Sequence, residues 1–186
     1  MAESFLSNDE LKNLGLKSFG KNVLVSRKAS IYGAEAMSFG DHVRIDDFCI
    51  LSGKISIGCY VHISAYTALY GKSGIEIDDF ATISGRVLVY SENDDYSGEF
   101  MTNPMVPSEF TNVQKAKVIL GKHVIIASGS IVLPGVTLGE GACVGAMSLV
   151  KCNIDPWLIY AGVPATQIKV RKKHILELEN QFLKRL

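Results

Sequence analysis

Between Leu120 and Val150 an aliphatic residue returns every six positions: Leu120, Ile126, Val132, Leu138, Val144 and Val150. Four residues after each of the first five stands a small or β-branched one: Val124, Ser130, Val136, Ala142 and Ser148. Glycine follows the aliphatic residue at 121, 139 and 145. A fixed internal period dictates the fold before local propensity does. Six residues turn an α-helix by about 600°, which throws 120 and 126 onto opposed faces. A flat strand tolerates the period but has no use for a glycine at each break. The arrangement that fits is an all-β solenoid. Each hexad makes one short strand and one corner, and three hexads close a triangular coil. The aliphatic residue and the small residue before it point inward, onto their equivalents in the next coil. Glycine is expected where the backbone must bend without a Cβ clash.

The period extends upstream. Phe19, Val25 and Ile31 are six apart, with Val23 and Ala29 as inward partners. A two-residue slip falls at Gly33–Ala36. The series resumes at Phe39, Ile45, Leu51, Ile57, Ile63 and Leu69, with Val43, Cys49, Ile55, Val61 and Thr67. A second slip at Lys72–Gly74 precedes Ile77, Ile83 and Val89, with Ala81 and Val87. Slips of this size suit corner bulges in an array whose coils touch only their neighbours. From Ser91 to Lys117 the repeat stops, in a polar, aromatic, proline-containing segment. So long a loop inside a repeat array points to function, the plainer alternative being a tolerated surface insertion. Its Tyr96, Phe100, Met101 and Phe110 are expected to pack on something, such as a neighbouring subunit.

The ends frame this array. Residues 7–14 read as a short helix with Ser7 or Asn8 as N-cap and Gly15 as the stop. Pro156 and Pro164 are expected to end the regular coil. Residues 172–186 place Ile175, Leu178, Phe182 and Leu186 on one side of an amphipathic helix, laid over the outside or the open end. The chain thus divides into a cap at 1–18, a coiled domain at 19–171 with its loop at 91–117, and a helix at 172–186.

Composition excludes several classes. Lys plus Arg and Asp plus Glu are 19 each, so no basic excess suggests nucleic acid. No apolar run approaches the roughly 20 residues of a membrane span. Met1-Ala-Glu-Ser-Phe lacks the basic start of a signal peptide, which implies a cytoplasmic protein. Cys49, Cys59, Cys143 and Cys152 form no CxxC pair. Cys49 and Cys143 are assigned to the inward position as reduced core residues, and no metal site is expected.

The hexads, the long internal loop and Tyr160-Ala-Gly-Val-Pro-Ala-Thr-Gln-Ile-Lys169 together resemble the hexapeptide-repeat acyltransferases, in particular the galactoside, xenobiotic and sugar O- or N-acetyltransferases. The resemblance covers residues 19–171. It implies a left-handed parallel β-helix, a homotrimer with active sites between adjacent solenoids, and acetyl-CoA as co-substrate. It places Ser128, Ala146, Lys151, Thr166 and Lys169 at the CoA groove, with Arg171 and Lys172 just beyond. Small residues at Ala127 and Ala146 let pantetheine approach the backbone, and the cations suit its phosphates. The same cations read equally as a solvated face. The implied acceptor is a sugar or nucleotide sugar, carrying the attacking hydroxyl or amine.

Acyl transfer requires a group to take a proton from the attacking atom and a donor for the oxyanion. The family supplies a loop histidine, and this loop has none; its register falls on Asn93, Asp94 or Asp95. His62, on an outward strand face beside Tyr60, Tyr66 and Tyr70, is one candidate base, imidazole being the side chain most often used for such work. Asp94 and Asp95 are the rivals, as base or as holders of the substrate amine. Glu92, Tyr96, Ser84 and Asn112 are candidate substrate contacts. His42 and His123 share a corner phase and are expected to face solvent or a neighbour. Two other readings stay open: a scaffold without a base, and a metal hydratase resembling the gamma carbonic anhydrases, for which no third histidine is placed.

Overall fold

The computed structural model describes residues 4–185, so Met1 to Glu3 and Leu186 lie outside the described residues. The chain is a parallel β-solenoid of about seven turns. Its second face is a sheet of its own, in which Leu24–Val25, Arg44–Ile45, His62–Ile63, Thr82–Ile83, Ile125–Ile126, Cys143–Val144 and Leu158–Ala161 stack in parallel. The first and third faces share a ten-stranded sheet, joined through the long strands Ile50–Ile57 and Ala68–Ile77.

Hexad positions become columns. Phe39, Ile57, Ile77, Leu120 and Leu138 are in register down the first face. Ile45, Ile63, Ile83, Ile126 and Val144 descend the second face. Leu51, Leu69, Val89, Val132 and Val150 descend the third. All of these are at most 3% exposed, and so are the partners from Val43 to Ser148. The two ends are looser: Phe19, Ala29 and Ile31 in the first coil and Leu158 and Tyr160 in the last pack against the core but stay partly open, because a coil lies on one side of them only. Buried Ser130 and Ser148 remain satisfied: both hydroxyls donate to the Gly145 carbonyl, at 2.9 and 2.7 Å.

Three sequence expectations need correction. Bends do not fall on the glycines after the aliphatic residues. Three positions after Phe39, Ile57, Ile77 and Leu120 stand His42, Tyr60, Phe80 and His123, all with φ of 58–60°. A side chain in this left-handed region is strained, and here the rings stack from coil to coil, His42 on Tyr60 at 4.6 Å, Tyr60 on Phe80 at 5.1 Å and Phe80 on His123 at 5.3 Å. Glycine serves close stacking instead: a Cβ on Gly139 would meet the Pro156 ring at 2.7 Å, and one on Gly145 the Ala161 Cβ at 2.7 Å. Pro156 does not end the coil either, since Leu158–Ala161 still pairs in parallel with Cys143–Val144. The repeat stops one strand later, where Thr166–Val170 turns back antiparallel on Leu158–Ala161. Cys143 faces outward in register with Ile125 and Ile159, whereas Cys49 is buried.

Helices close the body. In α1 (Asn8–Asn13), Ser7 and Glu10 form a reciprocal capping box, and Leu11 is fully buried. In α2 (Ile175–Leu183), Ile175, Leu178 and Phe182 face the first corner, where Phe182 meets the Tyr60 and Phe80 rings edge-on. This covers His123, which is 2% exposed rather than open to solvent. His123 Nε2 donates to Glu179 Oε2 at 2.7 Å, and Lys122 pairs with the same carboxylate at 2.5 Å. Burial pushes Glu179 up, but the hydrogen bonds from Lys122 and His123 outweigh it and hold the carboxyl below its ordinary 4.5. A depressed carboxyl contributes stability above its unfolded-state value and loses it as pH falls through the folded one. Glu179→Ala is therefore expected to cost about 1–3 kcal/mol, read by thermal unfolding at neutral pH. Wild type and variant should converge as pH falls below 4.5.

Candidate active site

The loop at 91–117 leaves the third corner and returns to it. Glu92–Asn93 pairs antiparallel with Gln114–Lys115, which makes a two-stranded neck. Met101 bridges to Thr111 beyond it. Under this flap lies a cleft of about 650 Å³, with Lys72, Tyr90, Glu92, Asp94, Asn112 and Lys115 in its walls. Glu92 accepts from Ser73 Oγ at 2.6 Å, and Lys72 Nζ stands 3.5 Å away. Tyr90 stacks on Tyr70 at 5.1 Å, and burial, with Tyr70 and Tyr96 nearby, raises its pKa. The cleft is therefore lined by both carboxylates and ammonium groups.

The two aspartates of the loop differ. Asp95 Oδ1 accepts from the Ser97 backbone N–H and hydroxyl at 2.8 and 2.5 Å, and Oδ2 accepts from Asn112 Nδ2 at 3.2 Å. Those hydrogen bonds hold its carboxyl below the ordinary value. Asp95 and Asn112 thus tie the two arms of the flap together. Asp94 lines the cleft. Tyr96 is 83% exposed, with its hydroxyl donating to Asn93 Oδ1 at 3.1 Å. Phe100, Met101 and Phe110 are also exposed in the single chain, at 43%, 57% and 54%.

His62 is not in this cleft. It sits on the second face, where its Nε2 donates to Asp46 Oδ2 at 2.7 Å and Arg44 binds the other Asp46 oxygen at 2.7 Å. Burial pushes Asp46 up, and these two hydrogen bonds more than reverse it.

The remaining candidates are spread over three corners. Ser84 follows Ile83 at the second corner, and Ala127 and Gly145 follow Ile126 and Val144 one and two coils below. Ser84, Ala127, Ser128 and Ala146 thus share one edge, with Thr166 near its lower end through pairing to Ala161. Lys169 pairs with Ile159 on the second face. Arg171 is a structural clamp at the first corner, its Nη1 donating to the His123 and Gly141 carbonyls at 2.7 and 3.0 Å. Lys151 follows Val150 at the third corner, the one that carries the loop. Sequence reasoning missed Lys72, Tyr90 and Lys115, which enter the site only through the path of the flap.

Comparison with known proteins bears on this geometry. The profile of the bacterial transferase hexapeptide family (six repeats) matches residues 117–152. The chain is 50% identical, over 96% of its length and 95% of the relative's, to the dTDP-4-amino-4,6-dideoxy-D-glucose acyltransferase of Escherichia coli. The chain belongs to the hexapeptide-repeat acyltransferases. Solved structures agree. The acyltransferase superimposes with a TM-score of 0.97 and 57% identity on the D94N mutant of AntD, an N-acyltransferase from Bacillus cereus in complex with dTDP and coenzyme A, covering 99% of this chain and 100% of that one. The S84C mutant of AntD, in complex with dTDP-4-amino-4,6-dideoxyglucose and coenzyme A, gives a TM-score of 0.97 at 56% identity, covering 100% of both chains. This chain carries Asp94 and Ser84 at those same numbers. Among the described residues no helix is long and apolar enough to cross a membrane.

Proposed function

We propose that the enzyme transfers an acyl group from acyl-CoA to the 4-amino group of a dTDP-4-amino-4,6-dideoxyhexose, and that it works in the cytoplasm, where both co-substrates are made. The observation that carries this reading is a cleft with Asp94 and Glu92 beside Lys72 and Lys115 and no histidine. Such a wall suits an acceptor with an amine at one end and a diphosphate at the other. The near-full-length likeness to acyltransferases of that acceptor supports it.

The chemistry follows from the groups available. An amine attacks a thioester without the full deprotonation that a hydroxyl requires, so Asp94 need only accept an N–H hydrogen bond and aim the lone pair. Attack forms the C–N bond; collapse of the tetrahedral intermediate breaks the C–S bond, and the amine proton leaves with the CoA thiolate. The Ser84 hydroxyl, one coil above Ala127, is the candidate donor to the developing oxyanion.

Asp94 and Ser84 stand on different corners of one chain, and so do Lys151 and Ala146. One arrangement reconciles both separations: the third corner of one subunit faces the second corner of the next, in a homotrimer whose ring closes after three copies. The exposed Phe100, Met101 and Phe110 of the flap support this.

A thiol-release assay tests the reading, with acetyl-CoA and longer acyl-CoAs against dTDP-4-amino-4,6-dideoxyglucose and its 4-hydroxy counterpart. Turnover of the amine alone is the expected result. Release with the hydroxyl sugar alone, or none with either acceptor, overturns it.

A further inference from the structure

The second slip in the hexad series, at Lys72–Gly74, does more than turn a corner. Gly53 and Gly71 are partners in adjacent coils, and so are Ile55 and Ile75. Lys54 alone joins the two positions in the upper coil, whereas Lys72, Ser73 and Gly74 join them in the lower one. Glycines bracket the resulting bulge because no side chain fits there. Gly74 has a φ of 110°, and a Cβ on Gly71 would meet Ile55 Cγ1 at 2.8 Å.

The bulge reaches the root of the flap. Ser91 is fully buried, and its N–H and hydroxyl both donate to the Tyr70 carbonyl, at 3.0 and 2.9 Å. The same hydroxyl accepts from the Ser73 N–H at 2.9 Å. Ser73 Oγ then donates to Glu92 Oε1 at 2.6 Å. A hydroxyl–carboxylate bond of this kind is stronger than one between neutral groups. The Lys72 ammonium, 3.5 Å from Glu92 on an exposed side chain, adds a weaker attraction. Of the three carboxylates that enter the flap, Glu92 is thus committed to the bulge, and Asp95 to Ser97 and Asn112. Asp94, between them, has no hydrogen-bond or ion-pair partner among the described residues.

Resting on the reading of the acceptor given above, we infer that Ser73 and Glu92 are positioning residues for Asp94. They pin the outgoing arm of the flap to the coil, as Asp95 and Asn112 pin the two arms to each other. The Asp94 carboxylate is held from both sides, and of the two carboxylates lining the cleft it is the one left for the amine. Such holding matters because a displacement of about 1 Å can cost about 10²-fold in rate. The two extra residues of the slip supply the anchor, since a corner with Lys54 alone has no side chain in the place of Ser73.

Steady-state kinetics with dTDP-4-amino-4,6-dideoxyglucose tests the anchor on Ser73→Ala, Ser73→Thr, Glu92→Ala and the variant carrying both alanines. Ser73→Ala should lower kcat about tenfold, with the KM for acyl-CoA within about twofold of wild type. Ser73→Thr keeps the hydroxyl and should recover most of the loss. The double variant should be no slower than Glu92→Ala, because both changes break one bond. A Ser73→Ala enzyme with wild-type kcat, or losses that multiply in the double variant, overturns the anchor. Amide hydrogen exchange reads the same bond without substrate. Residues 92–97 should exchange faster in Ser73→Ala while Ile125–Ile126 stays protected, and unchanged exchange at 92–97 overturns the anchor as well. Wild-type protein that turns over no amine overturns the reading of the acceptor instead, and the exchange result then decides the anchor by itself.

Discussion

With Asp94 changed to alanine, kcat/KM for the amino-sugar nucleotide is expected to fall about 10²-fold, the scale of a misaligned attacking group. On the proposed role, in which the carboxylate aims the attacking nitrogen, the fall should lie mainly in kcat, and the KM for acyl-CoA should barely move. Asp95→Ala is the informative control. Its carboxylate ties Ser97 to Asn112, so its loss should loosen the flap and raise KM for the acceptor. Equal losses of kcat in both variants would move the chemistry away from Asp94. Mixing separates the subunits. Asp94→Ala and Ser84→Ala chains, co-refolded in equal amounts, should recover activity at about a quarter of the sites if the two residues meet across an interface of a closed ring. No recovery would place both residues in one subunit. His62→Ala should leave kcat close to wild type, since its ring is occupied by Asp46 outside the cleft; a large loss there would restore it as the base.

Ile126→Ala should destabilise the fold by about 2–5 kcal/mol. Ile126 is fully buried between Ile83 and Val144, at the joint where the chain resumes coiling after the flap. The lost methyl groups leave a cavity that the stiff columns above and below cannot fill. For a chain of this size the melting temperature should drop on the order of 10 °C. Ile119→Ala, on the outward side of the same coil and 37% exposed, should change stability by about 0.5 kcal/mol or less. Comparable drops at both positions would mean that inward stacking is not what holds these coils together.

The inward columns were legible because burial and period are the same fact in a solenoid. A residue two positions from another faces the same way, so Val124 and Ile126, or Cys49 and Leu51, declare themselves. The corners were harder. His123 read as a corner residue facing either solvent or a neighbour, and the choice between them depends on α2, 56 positions away through Glu179. A signal was present: aligning the third residue after Phe39, Ile57, Ile77 and Leu120 gives His42, Tyr60, Phe80 and His123, an aromatic ladder. Cys143 was misplaced by one position, enough to turn a side chain from inside to outside. In the site, the absent loop histidine directed attention to Asp94, whereas Lys72, Tyr90 and Lys115 converge only through a non-repeating flap that no period describes.

The flap interrupts the stack between the coil of Ile83 and the coil of Ile126, with three coils above the first and two below the second along that face. Rungs of a sheet are spaced about 4.8 Å apart, so the solenoid is a graduated scale on which the flap marks one fixed height. Adding three hexads below that mark would lengthen the lower stack by one graduation and leave the coils above it untouched, because each coil touches only its neighbours. The two halves of this chain can thus be extended independently of each other.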